Sequence, residues 1–124
     1  MGIIRITDLT LRAIIGTNAW ERKKKQRVVI NASFEYSAAR AIATDNLQDT
    51  IDYKTITKRI IKEVTDSHFF LLEKLASRIL TIVLNNKKVL RATVRVDKPY
   101  ALRFAKSVSV TLSAKQKTKR IKAH

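Results

Sequence analysis

Hydrophobic and polar residues alternate along two segments near the start of the chain. Residues 3–15 are rich in Ile, Leu and Thr and alternate in part, up to Gly16. Residues 27–36 alternate well, with the apolar set at Val28, Ile30, Ala32, Phe34 and Tyr36. A period of two places alternate side chains on opposite faces of a strand. The pattern therefore predicts two strands, paired antiparallel across a polar connection at residues 17–25.

The period then changes to that of a helix. Residues 37–51 have no clean period, and we expect an irregular connection there. Apolar residues recur at helical spacing from about Asp52 to Ser67, and again from about Phe70 to Leu84. Each stripe is wide enough to cover one face of a helix. We therefore predict two amphipathic helices in succession.

Alternation returns in two later segments, Leu90–Asp97 and Ser107–Ser113. The order ββααββ predicts an α+β domain, with a four-stranded antiparallel sheet and two helices on one face. The second face of the last two strands is polar, and such a sheet leaves two open edges that proteins normally pair or cover. We therefore expect an oligomeric barrel of several copies, with the polar face lining a wet interior.

The charge of the chain bears on its partners. The 124 residues carry a formal net charge of +16 at pH 7, and basic residues crowd the end of the sequence. We predict one domain over residues 1–114 and a basic, disordered tail over residues 115–124. Such charge suits an anionic partner, and nucleic-acid binding is the rival hypothesis. No zinc-finger or RNP-like pattern supports that rival, so we expect no nucleic-acid partner.

Residue types exclude several kinds of site. The chain has no cysteine and only two histidines, which excludes a disulfide framework and a zinc site of three histidines. Gly2 and Gly16 are the only glycines, which excludes a glycine-rich phosphate loop. No segment has the length and apolarity of a membrane span, and the start does not resemble a signal peptide. We expect a cytoplasmic protein without a metal or a cofactor.

Four side chains stand at positions where they could do chemistry. Glu21 follows the first strand, and Tyr53 stands at the start of the first helix. Glu73 falls in the first turn of the second helix, where the helix dipole favours a carboxylate. Lys98 precedes Pro99, which ends a strand because proline cannot donate to the ladder. Taken singly, each has an ordinary structural interpretation, such as a loop carboxylate or a solvated strand end.

Taken together, these positions resemble the dihydroneopterin aldolase family from about Ile3 to Ser113. The resemblance rests on Gly16 with Glu21-Arg22, Gln26, Asp49-Thr50-Ile51-Asp52-Tyr53, Leu71-Leu72-Glu73 and Lys98-Pro99. It implies the tunnelling fold, ββααββ, in rings that stack into octamers. Within the family, residues 3–6, 71–75 and above all 101–113 resemble the dihydroneopterin triphosphate 2'-epimerase branch. Lys98-Pro99 is equally at home in the aldolase branch.

The resemblance implies a pterin pocket shared between subunits of a homo-oligomer, a tetramer or an octamer. Glu73 would accept two hydrogen bonds from the amino group and ring N–H of a reduced pterin. Backbone groups near Leu72 and Ile51 would complete the pocket. Tyr53 from a neighbouring subunit would stack on the ring or contact the side-chain hydroxyls.

The implied reaction is a retro-aldol cleavage of the pterin side chain, with the ring as electron sink. Lys98 would transfer protons, assisted by Glu21 and Tyr53. A triphosphate would need cations, for which the basic run 22–25 beside Glu21, and Arg103 and Lys106 after Lys98, are the candidates. An epimerase re-adds the two-carbon fragment to the other face. The alternative is the aldolase of folate biosynthesis, which releases glycolaldehyde and 6-hydroxymethyl-dihydropterin. A catalytically silent ring is a third possibility.

Overall fold

A computed structural model describes residues 1–117, with helices packed on one face of a five-stranded sheet. In chain order the elements are β1 (Gly2–Ile15), β2 (Gln26–Tyr36), α1 (Ala39–Thr44), a 3-10 helix (Leu47–Asp49), α2 (Tyr53–Thr65), β3 (His68–Phe69), α3 (Leu72–Leu84), β4 (Arg91–Pro99) and β5 (Ser107–Lys115). The predicted α+β class and the order of the four long strands and two long helices are confirmed. Within the described residues, no helix has both the length and the apolarity to cross a membrane.

The predicted strand number of four is wrong, because the sheet has a fifth strand. Its order is β3-β1-β2-β4-β5, and β3 pairs parallel with Ile14 and Ile15 at the end of β1. A two-residue strand is too short to show a period, so the sequence pattern gave no sign of it. The strand joins the link between α2 and α3 to the end of β1, which positions the start of α3.

A bulge in β1 explains why its alternation is only partial. The core-facing apolar residues stand at even positions up to Ile6 and at odd positions from Leu9 onward. The pairing with β2 shifts between these two residues. Asp8 adopts a φ of 55° there, and its N–H donates to Asn31 Oδ1 at 2.9 Å. The extra residue of a bulge returns the apolar side chains to the same face.

The hydrophobic core lies between one face of the sheet and the helices α2 and α3. Both helices turn their apolar stripe inward, with Ile56, Ile60 and Val64 on α2 and Leu75, Ile79 and Val83 on α3 among the buried residues. The strands contribute the facing layer, which includes Val28, Ile30, Phe34, Val94 and Val96. Burial of apolar surface at this scale is the main stabilising contribution in a domain of this size.

The opposite side of the sheet, here called the polar sheet face, carries hydrogen-bonded charges. Arg95 makes two hydrogen bonds to Asp97, at 2.8 and 3.1 Å, and Ser107 donates to the same carboxylate at 2.9 Å. This agrees with the polar second face that the alternation predicts for the last two strands. Such a face does not build a second dry core.

The end of the sheet lies slightly beyond the predicted domain boundary at residue 114. Strand β5 continues to Lys115, and the Gln116 side-chain amide donates to the carbonyls of Leu84, Asn86 and Val89 at 2.9–3.2 Å. The start of the predicted tail at 115–124 is therefore bonded into the fold. Residues 118–124 of that tail lie outside the described residues.

Candidate active site

Glu21 and Lys98 form an ion pair at one end of the sheet. Lys98 Nζ donates to Glu21 Oε2, although the two residues are 77 positions apart in the sequence. Only 12% of the lysine side chain and 8% of the glutamate side chain are exposed. By contrast, the surface pair Arg59–Glu63 is 46% and 25% exposed. A charge pair shielded from water in this way is a candidate for proton transfer.

The Glu21 carboxylate is held by two further donors. The Asn18 N–H donates to Oε1 at 3.1 Å, and the Gln26 side-chain amide donates to Oε2 at 3.4 Å. Burial raises the pKa of Glu21, but the hydrogen bonds from Lys98, Asn18 and Gln26 outweigh it and bring the pKa below its ordinary value of 4.5. The carboxylate is therefore ionised at neutral pH. Its contribution to stability is present above pH 4.5 and is lost as the pH falls through the lowered pKa.

Gly16 makes room for this carboxylate. Its φ of +124° is rarely adopted by residues with a side chain, and a Cβ at this position would lie 2.4–2.5 Å from the carboxylate atoms of Glu21. Both the backbone conformation and the close approach therefore require glycine. The glycine that ends β1 is thus part of the same site as Glu21.

We expect the Gly16→Ala variant to lose about 2 kcal/mol or more of unfolding free energy, because it adds backbone strain and displaces a buried charge. Urea denaturation at neutral pH measures this loss. The Gly2→Ala variant is the matched control, since its Cβ meets the Tyr36 ring and the Ala38 methyl rather than a carboxylate. Equal stability of the two variants would contradict the proposed packing.

Arg22 holds the loop after β1 in place. Its guanidinium donates to the carbonyls of Gly16, Phe69 and His68 at 3.3, 3.1 and 2.6 Å, and it stacks over the Phe70 ring at 4.1 Å. These contacts join the loop to β3. The Arg22 guanidinium therefore makes its contacts within the fold. This position does not favour the expectation that it contacts phosphate.

The start of α3 lies at the same end of the molecule as the ion pair. Glu73 is exposed in the first turn of α3, as predicted, and Leu72 is half-buried beside it. The residue before the helix, Leu71, gives no side-chain cap. Backbone N–H groups in a first turn have no partner within the helix. This helix end therefore offers a carboxylate as acceptor and backbone N–H groups as donors.

Tyr53 and Ile51 lie at the far end of α2. Tyr53 is the first residue of the helix and is half-exposed, whereas Ile51 is fully buried. Asp52 caps the helix, and hydrogen bonds from the side chain and N–H of Thr55 hold its pKa below its ordinary value. A helix of 13 residues spans about 20 Å. Because the opposite end of α2 leads into β3, one copy of the chain does not bring Tyr53 to the ion pair.

Arg103 lies in the exposed connection between β4 and β5. Its guanidinium stands 5.2 Å from the centre of the Phe104 ring, and that ring is 98% exposed. The Tyr100 N–H donates to the Lys106 carbonyl at 2.9 Å and closes the connection. Arg103 therefore belongs to a projecting loop next to the strand end that carries Lys98, and not to the buried network around Glu21.

The sequence profile of the dihydroneopterin aldolase family matches residues 4–113. The chain belongs to this family. A dihydroneopterin triphosphate 2'-epimerase of Pseudomonas aeruginosa is 46% identical over 113 residues, which cover 91% of this chain and 92% of that protein. The epimerase of Escherichia coli K12 is 43% identical over 111 residues, covering 90% of this chain and 92% of that protein. The predicted resemblance to the epimerase branch is thereby confirmed.

A solved structure in the same family confirms the fold. Escherichia coli dihydroneopterin aldolase in complex with neopterin aligns with a TM-score of 0.87, covering 92% of this chain and 99% of that chain. Its sequence identity to this chain is 24%, well below that of the two epimerases.

Apart from Arg103, the predicted site residues of this family member form two groups. Glu21, Lys98, Glu73 and Leu72 share one end of the molecule, whereas Ile51 and Tyr53 lie at the far end of α2. Sequence reasoning missed the donor at Asn18, because it is a backbone N–H, which leaves no signal in the residue type. In a single chain the predicted residues therefore do not form one cluster.

Proposed function

We propose that this chain is a dihydroneopterin triphosphate 2'-epimerase. The observation that carries the proposal is the shielded Glu21–Lys98 pair beside the open N-terminus of α3. The 43–46% identity to two epimerases favours this activity over the aldolase reaction. Fold alone does not decide between them, because one fold hosts several activities.

The reaction begins with removal of the proton from the 2'-hydroxyl. The bond between C1' and C2' then breaks, the 2'-oxygen becomes an aldehyde oxygen, and the bonding electrons pass into the pterin ring. Lys98 in its neutral form accepts this proton and passes it to the pterin ring as the electrons arrive, while Glu21 orients the amine and stabilises the ammonium that forms between the two transfers. The aldehyde fragment rotates and adds back through its other face. This inverts the configuration at C2' without any net change in composition. The pterin ring supplies the electron sink, so the proposed reaction uses no cofactor.

Glu73 is the proposed anchor for the pterin ring. A carboxylate has two acceptor oxygens, which match the paired donors of the amino group and the ring N–H. The exposed position of Glu73 beside free backbone N–H groups suits an edge-on planar ligand. Tyr53 and the backbone near Ile51 complete the pocket from a second copy.

The second copy comes from a homo-oligomeric ring, which we propose to be a tetramer or a stacked octamer in the cytoplasm. Three features support an assembly: the polar sheet face, the open edge of β5, and aromatic side chains that project into solvent. Phe104, Tyr100 and Phe70 are 98%, 71% and 59% exposed. Exposed aromatic side chains in such numbers mark contact surfaces. A ring would place Tyr53 of one subunit near Lys98 of the next.

Turnover on two substrates tests the proposed function. We expect a higher kcat/KM for epimerising dihydroneopterin triphosphate than for cleaving unphosphorylated dihydroneopterin. Some cleavage should remain, because both reactions share the carbon–carbon bond-breaking step. Chromatographic separation of the 2'-epimers, together with detection of released glycolaldehyde, measures both reactions. Efficient glycolaldehyde release without any epimer from the triphosphate would make the chain an aldolase instead.

A further inference from the structure

A cavity of about 270 Å³ lies next to the Glu21–Lys98 pair, between the loop after β1 and the end of β4. Its lining is basic and aromatic and consists of Trp20, Lys24, Lys25, Gln26, Arg27, Pro99 and Tyr100. No carboxylate contributes to it. Gln26 belongs both to this lining and to the hydrogen bonds that hold Glu21. One side chain therefore separates the cavity from the proposed catalytic pair.

A second cavity of about 500 Å³ continues from the first along the polar sheet face. The two share Arg27, Pro99 and Tyr100. The second cavity has two carboxylates: Asp97 is paired with Arg95 and accepts from Ser107, and Asp8 accepts a hydrogen bond from the neutral amide of Asn31. Within residues 1–117, no ion pair involves Lys24, Lys25, Arg27 or Lys106. The joined cavities, here called the Arg27 groove, have five cationic side chains in their lining against these two carboxylates and therefore carry a net positive charge.

A cross-strand pair adds to this excess charge. Arg27 on β2 lies directly opposite Arg12 on β1, and both side chains are exposed. Like charges directly opposite each other on neighbouring strands are destabilising. A bound anion would relieve this repulsion. In the ligand-free protein, a neutral or acidic residue at one of these two positions would therefore be more stabilising than the second arginine.

We propose that the Arg27 groove binds the triphosphate of the substrate, an inference that rests on the proposed epimerase function. The guanidinium of Arg27 can bind phosphate oxygens in a bidentate manner, and the neighbouring lysines act as point charges. The groove starts beside the pair that acts on C2', and the phosphate chain extends from the adjoining C3'. Binding energy from this remote group lowers the barrier at the reacting carbons.

Kinetics on two substrates distinguish this role from a general effect on the fold. We expect the Arg27→Ala variant to lower kcat/KM for dihydroneopterin triphosphate by about tenfold or more, the value of one charge-assisted contact. Cleavage of unphosphorylated dihydroneopterin should change less than about twofold. The control is Lys58→Ala, which removes one exposed charge from α2 and should alter neither reaction. An equal loss on both substrates, or no loss on either, would overturn the proposal.

Binding of inorganic triphosphate tests the groove without turnover. Calorimetry should detect binding to the wild-type chain and to Lys58→Ala, and at least about tenfold weaker binding to Arg27→Ala. Thermal unfolding should show stabilisation by inorganic triphosphate that Arg27→Ala lacks. Arg27→Lys, which retains the charge, should recover part of the affinity. Unchanged binding in Arg27→Ala would refute the groove. Arg27-dependent binding in a chain that turns over neither pterin would instead refute the epimerase function.

Discussion

The Lys98→Ala variant should lose about 10²–10⁴-fold in kcat while still binding a pterin. The lysine amine is the group that moves the proton in the proposed reaction, and alanine leaves nothing to replace it. Pterin binding should persist, because Glu73 and the first turn of α3 lie on another element. The Glu21 carboxylate keeps its hydrogen bonds from Asn18 and Gln26, so the variant should still fold, with reduced stability.

Single-turnover kinetics and calorimetry with a pterin ligand separate these two effects. Lys58→Ala serves as the matched control, because it removes the same side chain from an exposed face of α2. The Glu21→Gln variant should give a smaller loss than Lys98→Ala, since it keeps the lysine and removes only its charged partner. If Lys98→Ala keeps the wild-type kcat, Lys98 takes no part in the mechanism. Loss of pterin binding with unchanged kcat would make it a binding residue instead.

The elements that the sequence predicted are those with long, regular patterns. In α2 and α3, which have 13 residues each, an apolar residue is buried at successive turns, and in β2 the buried positions alternate from Val28 to Phe34. Each pattern reflects a face that is buried in the same core. Patterns of this length leave only one way to bury the apolar side chains, so element type and order follow directly.

The elements that it missed lack such a pattern. Helix α1 has six residues and buries none of them, so no stripe marks it. Strand β3 is defined by two backbone partners on β1 rather than by its own side chains. The bulge at Asp8 is visible in the sequence as a shift from even to odd apolar positions, but alternation alone does not show where the extra residue lies.

The candidate site shows the same division between local and long-range information. Position within an element was predictable: Glu73 lies in the first turn of α3, and Tyr53 begins α2. The association of Glu21 with Lys98 followed only from the family resemblance, because no local pattern joins residues 77 positions apart that the sheet brings together. The contacts of Arg22 were not predicted, since its backbone partners His68 and Phe69 come from a strand that the sequence did not reveal.

Mixing two inactive variants tests whether a complete active site needs two copies of the chain. Lys98→Ala removes a residue from the group near Glu21, whereas Tyr53→Ala removes one from the far end of α2. If each site draws on two subunits, a mixed ring contains interfaces where both halves are intact. Random mixing in a symmetric ring restores about one quarter of the sites. The control mixture combines Lys98→Ala with Glu73→Gln, whose defects fall in the same half of the site.

The deciding measurement is epimer formation from dihydroneopterin triphosphate after the variants are dissociated, mixed and reassembled. The shared site predicts that the Lys98→Ala and Tyr53→Ala mixture regains about one quarter of wild-type activity, while the control mixture stays at the level of its components. Native mass spectrometry of the same samples reports whether mixed rings have formed. If mixed rings form and the Lys98→Ala and Tyr53→Ala mixture is still as inactive as the control mixture, the active site is not built from two subunits.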